Sequence, residues 1–297
     1  MDLSNQLTEV ARFFIKPKTE RVKVWMRAPQ IHPSDSKITD PHFVVIIEAV
    51  INGRSIKSTG GATHKHQAFL RALGELGENV ILYNSDLNSR CGIAAGWLSS
   101  MAIVRSKGEL IERDAFFYHY RNLVPYTRRQ KLDGDAIAFE MQAADPRFSA
   151  ILVTNEASAN LASECLQFGA AAHPDRKVAL AKALQEYHIM RYTHQRHPGR
   201  CAERAQNQKL ITDILDLHHV HSRDLRNRTR FHQLCRVREN SPRENLNSSG
   251  WVIETLESPI RGLHYVRCEH GDLIKLTFGV PEPFANSSED ELLHPFW

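Results

Sequence analysis

The sequence predicts a mixed α/β protein in which β-sheets are covered by helices, and three observations carry that expectation. Two β-rich runs in HFVVIIEAVINGRSIKS flank Asn52-Gly53, a dipeptide suited to a two-residue hairpin turn. Residues 64–82 place Ala68, Phe69, Ala72, Leu73, Leu76 and Val80 on one arc at helical spacing. Further along, the strand candidate SAILVTNE (149–156) precedes a helical pattern over 174–195.

Taken in order, residues 1–40 are mixed and end in the Pro/Ser/Asp-rich stretch QIHPSDSKITDP. The hairpin and the first helix follow. CGIAAG is a short segment leading into a longer helix at about 97–120. NLASECLQFGAAA reads as an ambiguous extended run after the 149–156 strand. Pro174-Asp175 marks the start of the 174–195 helix, with the Asp175 carboxylate suited to its N-terminal dipole. A further helix is expected over 203–219, and strand-like pieces such as HYVRCEHGDLIKLTFG after Trp251. The expected organisation is one domain over 1–297, subdividing into an N-terminal segment 1–40, a core 41–200 and a C-terminal part 201–297 with a Pro-rich tail.

Composition narrows the function classes. Apolar residues at 42% and charged residues at 24% are a globular balance, and no apolar run reaches bilayer-spanning length. MDLSNQLTEVARFF lacks a basic start followed by an apolar core, so no secretory signal and no membrane association are expected, and the cytoplasm is the expected address. Five widely spaced cysteines without a CxxC pair argue against a zinc or disulfide framework. Arg and His are dense between Arg191 and Arg243, but acidic residues interrupt them and no nucleic-acid motif accompanies them; no nucleic-acid partner is expected. His218, His219 and His221 lack neighbouring Cys or Glu at zinc-ligand spacing.

Candidate chemistry lies in two Glu-x-x-Glu pairs, Glu75/Glu78 in GELGEN and Glu109/Glu112 in GELIERD. Spacing of three puts each pair on one helical face, where hard oxygen donors suit Mg²⁺ and the phosphate it brings. Glu75 and Glu78 fall opposite the apolar arc, which by itself reads as a solvated face. Glu109 shares its sector with Leu98, Ala102 and Phe116, so it needs a partner. An i,i+4 ladder Arg105–Glu109–Arg113 and a bound cation satisfy it equally well. P-loop, HExxH, GxSxG and kinase signatures are lacking.

Three blocks together resemble the YcaO family. STGGATHKHQAFLRALGELGEN is similar to its first signature through Thr59, Gly60, Gln67, Ala68, Ala72, Leu73, Glu75 and Glu78. CGIAAGWLSSMAIVRSKGELIERDAFFYHYR resembles the NGxAAG…ELIERDAF block through Gly92, Ala94, Ala95, Gly96 and the run from Glu109 to Phe116. FGAAAHPDRKVALAKALQEYHIMR resembles the third through His173, Pro174, Ala179, Leu180, Ala183, Leu184, Glu186 and Arg191. The three cover most of residues 55–195. GVPEPFANSSEDELLHPFW is similar to the proline-rich terminus of azoline-forming members, with Trp297 where proline closes that motif.

The resemblance implies a YcaO-type fold with an ATP/Mg site between the helices that carry the Glu-x-x-Glu pairs. Glu75, Glu78, Glu109, Glu112 and Glu186 would hold Mg²⁺, with Arg113 and Arg191 countering phosphate charge and the Trp297 carboxylate a candidate catalytic group. The implied activity is an ATP-dependent cyclodehydratase making thiazoline or oxazoline rings in a precursor peptide, as in ribosomal-peptide and bacteriocin biosynthesis. A multi-protein complex is implied, with an E1-like (ThiF-type) partner and an FMN-dependent dehydrogenase. Thioamide or amidine formation, and a degenerate non-catalytic scaffold, are the alternatives. The sequence departs from the family pattern at Gly61 (lysine), Arg71 (a small residue), Cys91 (asparagine) and Ile189 (glutamine). Arg71 or Lys65 is a candidate replacement for the missing lysine.

Overall fold

The structure is a computed structural model and describes residues 3–27, 43–85, 92–163, 165–196, 223, 225–238, 243–246 and 249–273, with side chains within these except at 3, 27 and 192–196. It is mixed α/β, sheets covered by helices, and its residues divide into two compact units: 1–110 with 246–278, and 111–245 with 279–297.

In the first unit α1 (Leu3–Phe14) leads into β1 (Thr19–Arg27), β2 (Phe43–Ile51) and β3 (Arg54–Ala62), an antiparallel sheet in the order β1-β2-β3. Asn52 and Gly53 both have positive φ (51° and 75°), the twist a two-residue hairpin requires. Strict alternation along β2 sends Val45, Ile47, Ala49 and Ile51 inward, where they meet Val22, Val24 and Ile56.

Helix α2 (Lys65–Asn84) packs on that inner face. All six residues of its expected arc are buried in the same core. The helix lies so close to β3 that a Cβ on Gly60 would stand 2.1 Å from the Ala68 carbonyl oxygen and 2.3 Å from Ala72 N. Only glycine permits this seating, and Ser58 adds a bond from its hydroxyl to the Ala72 carbonyl (2.8 Å).

A second sheet in the order β4-β10-β9 is built from β4 (Ile93–Gly96), β9 (Trp251–Leu256) and β10 (His264–His270), all antiparallel. CGIAAG therefore supplies an edge strand. Tyr265 of β10 reaches back to donate to the Gly74 carbonyl of α2 (3.2 Å). Helix α3 (Ser99–Asn122) begins in this unit and continues into the second.

The second unit holds a four-stranded antiparallel sheet: β5 (Arg128–Lys131), β6 (Ala136–Met141), β7 (Ser149–Asn155) and β8 (Phe168–His173), paired in that order. The short α4 (Glu156–Ala159) follows β7, with Asn155 capping it through Ser158 N. One face packs small residues (Ala136, Ala138, Ala171) against Ala179, Ala183 and Tyr187 of α5 (Arg176–Arg196). The other is aromatic: Phe168 stacks on Phe116 of α3 and on Phe231 of α6 (Leu225–Leu234), each at 5.5 Å.

Against expectation, only Phe168–His173 of the extended run is strand, and α5 begins at Arg176 because Asp175 is its cap, accepting from Lys177 N (2.8 Å). The expected 203–219 helix and the pieces beyond residue 273 lie outside the described residues. Elements α1, β1, β4, β5, β6, α4 and α6 were not anticipated. Among the described residues, no helix is long and apolar enough to cross a membrane.

His119 is fully buried in the second unit. Its Nε2 accepts from Gln142 N (2.7 Å), so Nδ1 carries the proton and donates to the Val124 carbonyl (2.7 Å). Burial first, and the charge of Arg243 second, lower its pKa to about 4. Between pH of about 6.5 and about 4 the unfolded chain therefore takes up a proton that the folded chain refuses. Stability contributed by His119 is full above the unfolded value and is lost as pH falls, by up to about 3 kcal/mol. Thermal melts from pH 7 to pH 4.5 should show a steeper loss for the wild type than for His119→Gln. Separately, Gly60→Ala should lower the urea midpoint by the equivalent of about 2–3 kcal/mol, because the obstructing atoms are backbone.

Candidate functional site

In the first unit the two carboxylates of α2 have different surroundings. Glu75 is exposed, as the helical arc predicts. Glu78 is half-buried, and its Oε1 accepts from Ala95 N (3.0 Å). The cause is the edge position of β4: its other side pairs with β10, so the Ala95 peptide groups turn outward. Arg105 of α3 donates to the Ala95 carbonyl (2.9 Å). One residue of β4 is thus held by an acid from α2 and a base from α3. The Ser106 hydroxyl donates to the Gly92 carbonyl (2.5 Å) and accepts from Cys268 N (3.0 Å), fixing the same helix to β4 and β10.

The negative charge of Glu78 also reaches Tyr265. Burial first, and Glu78 second, push the pKa of its hydroxyl up, so it stays a neutral donor to Gly74. Arg71, exposed on α2, donates to the Gly61 carbonyl (2.8 Å). The two departures from the family pattern on β3 and α2 are therefore in direct contact.

Glu109 is half-buried on α3 in the first unit. The first rung of the expected ladder, Arg105, makes its bond to Ala95. One turn on, in the second unit, Glu112 is only 8% exposed and Arg113 is half-buried. Asp114 is fully buried and takes a two-pronged bond from Arg243 (2.6 and 3.1 Å), whose guanidinium lies 4.3 Å from the Tyr118 ring centre. Glu186 is half-buried on α5, beside the buried Tyr187. Arg191 donates to Asp135 Oδ1 (2.9 Å), and the Tyr187 hydroxyl approaches the same oxygen (3.5 Å). Burial, then the Asp135 charge, push the Tyr187 pKa up to about 12. An anion binding Arg191 would share it with Asp135.

Arg105, Asp135 and Arg243 are partners that sequence reasoning missed. Asp135 follows Gly134 in a turn, a readable local signal. Arg243 lies 129 residues from Asp114, and no local pattern announces it. Cys91, Trp297 and the His218/His219/His221 group lie outside the described residues.

The donor set suits a magnesium–phosphate group in kind: carboxylate oxygens in pairs three apart on α2 and on α3. Among the described residues no three His, Cys, Asp or Glu side chains are gathered as a ready-made metal cage. Magnesium characteristically takes one or two carboxylates and completes its shell with water and phosphate oxygens, so paired donors meet its requirement.

No family model matches the sequence, and no curated protein matches it. Solved structures do. A chain of the E. coli microcin synthetase McbBCD complex aligns with a TM-score of 0.55 at 11% identity, over 87% of this chain and 88% of that one. A heterocyclase in complex with substrate and cofactor aligns at 0.50 and 13% identity, over 89% of this chain and 51% of that one. YcaO from Methanopyrus kandleri, bound with AMPPCP and Mg²⁺, aligns at 0.46 and 14% identity, over 65% of this chain and 66% of that one. At such identities likeness bears on architecture alone, and the first two show the fold: an arrangement shared with the microcin synthetase and heterocyclase structures.

Proposed function

We propose that this chain is a YcaO-type enzyme that uses ATP and Mg²⁺ to activate a backbone amide of a ribosomally made peptide, closing a thiazoline or oxazoline ring. The observation that carries the reading is the setting of the carboxylate pairs. Glu78 is tied to β4, and Glu112 is drawn to 8% exposure on a helix that also holds Glu109. Carboxylates held three apart on a helix are the kind of paired oxygen donors that a phosphate-bound Mg²⁺ takes, and that chemistry supports the reading. The three sequence blocks and the fold shared with microcin synthetase and heterocyclase structures support the same reading.

In this proposal Glu75, Glu78, Glu109, Glu112 and Glu186 hold the cations, and Arg113 and Arg191 face the phosphates. ATP would supply the phosphoryl group that makes the amide oxygen a leaving group, with Mg²⁺ neutralising its charge. The chain's own contribution is positioning and electrostatic stabilisation. A Cys, Ser or Thr side chain of the substrate adds to the preceding carbonyl carbon. That addition closes the ring as the side chain loses its proton. The oxygen, taking the terminal phosphoryl group of ATP with release of ADP, then departs as phosphate, and the amide nitrogen loses its proton as the C=N bond forms. Attack by sulfide or an amine on the same activated amide would give the thioamide or amidine. An E1-like partner would deliver the peptide, and an FMN-dependent dehydrogenase would oxidise the azoline.

Arg71 takes the place of the family lysine in this scheme, its guanidinium standing at the Gly61 carbonyl. That contact favours a compensated site over a degenerate scaffold, since the lost cation at one position is matched by a gained cation bonded to it.

Phosphate release from Mg-ATP, measured with precursor peptide and partner protein, tests the proposal. Glu75→Ala and Glu112→Ala should each lower the rate about 100-fold or more while assembly with the partner persists. Chelation should abolish release and added Mg²⁺ restore it; wild-type rates in both variants would refute the assignment. Arg71→Ala should raise the KM for ATP about tenfold or more with a smaller change in kcat, and Arg71→Lys should recover part of the loss.

A further inference from the structure

Among the described residues, side chains meet peptide groups at both edges of the β1-β2-β3 sheet and α2 packs on its inner face, leaving the outer face to account for. On the β1 side Val24 N donates to the Thr8 hydroxyl of α1 (3.2 Å). On the β3 side Asn79 donates to the Lys57 carbonyl (2.8 Å) and Arg71 to that of Gly61 (2.8 Å). The inner face is the core under α2.

The outer face consists of cross-strand rows fixed by the register: Arg21–Val50–Ser55, Lys23–Glu48–Lys57 and Trp25–Ile46–Thr59. Val44, Ile46 and Val50 run down the central strand only half-buried, and Trp25 keeps 39% of its surface exposed beside them. Around this apolar stripe stand Arg21, Lys23 and Lys57, all exposed, against a single carboxylate in the rows, Glu48. Glu48 is already engaged, accepting from the Ser55 hydroxyl (2.7 Å) and lying 3.6 Å from Arg21. Glu20, at the bulge entering β1, accepts from Gly53 N (2.8 Å). Among the described residues, three cations against one internally satisfied acid leave the face positive.

We propose that this face docks an extended acidic peptide segment. Its apolar residues would lie along Val44, Ile46 and Val50 and against Trp25, and its carboxylates would meet Arg21, Lys23 and Lys57. A second copy of this chain fits poorly, since like faces would bring cations onto cations. A nucleic acid also fits poorly: the centre of the face is aliphatic and carries Glu48, and Trp25 is the lone aromatic in these rows. The inference stands apart from the ATP reading and fails or holds without it.

The test is fluorescence anisotropy of the full chain with a short labelled peptide of alternating Glu and Leu. Its Gln/Leu analogue and an oligothymidylate serve as the other probes. Binding should weaken about tenfold or more in Lys23→Glu/Lys57→Glu, with the Gln/Leu peptide and with added salt. Both lysines are exposed, so the variant's melting temperature should hold; if it does not, the peptide and salt comparisons on the wild type decide. Equal affinity of variant and wild type, tighter binding of the oligothymidylate, or self-association that the charge reversals abolish would each overturn the proposal.

Discussion

Much of the candidate site is referenced to the free edge of β4. A strand edge exposes peptide groups that must find partners, and at Ala95 both are taken by side chains, Glu78 from α2 and Arg105 from α3. The two helices that carry the carboxylate pairs are thereby indexed to one residue of one strand. Small residues make this geometry accessible. A Cβ on Gly96 would meet Ala102 N at 2.7 Å, so the first turn of α3 sits directly on the strand end. The constraint links a local sequence feature, a Gly/Ala-rich strand, to the placement of acids distant in the chain.

The second unit serves the same helix differently. There α3 is held by an aromatic layer with Phe168 between Phe116 and Phe231, and by the buried Asp114–Arg243 pair. Removing either ionic partner would strand a charge inside the unit, so the pair acts as a fixed anchor. Glu112 lies two residues before that anchor and Glu109 one turn earlier.

The hairpin and α2 were legible in the sequence because Asn52-Gly53 and the Ala68-to-Val80 arc are local patterns with a single structural solution. Strand β5 was not, since RRQK is short, charged and mostly exposed, and its pairing rather than its composition makes it a strand. Helix α6 hid its apolar stripe: only Asn227, Phe231 and Leu234 of LRNRTRFHQL are buried, and basic residues fill the rest. The carboxylate pairs could be found by spacing. That Glu78 would cap a strand while Glu75 stayed in solvent could not, because it depends on which strand lies at the sheet edge. The pairings of Arg243 with Asp114 and of Asp135 with Arg191 were invisible for the same reason, the partners being brought together only by the fold.

In the proposed reaction a peptide amide oxygen leaves as phosphate. A precursor peptide carrying isotopically heavy oxygen in its backbone carbonyls, incubated with Mg-ATP and the partner protein, reads that step directly by mass spectrometry. The proposed reaction would place heavy oxygen in the released inorganic phosphate, together with a peptide lighter by one water for each ring. Phosphate released without the label, or ATP consumed while the peptide mass stays constant, would contradict it.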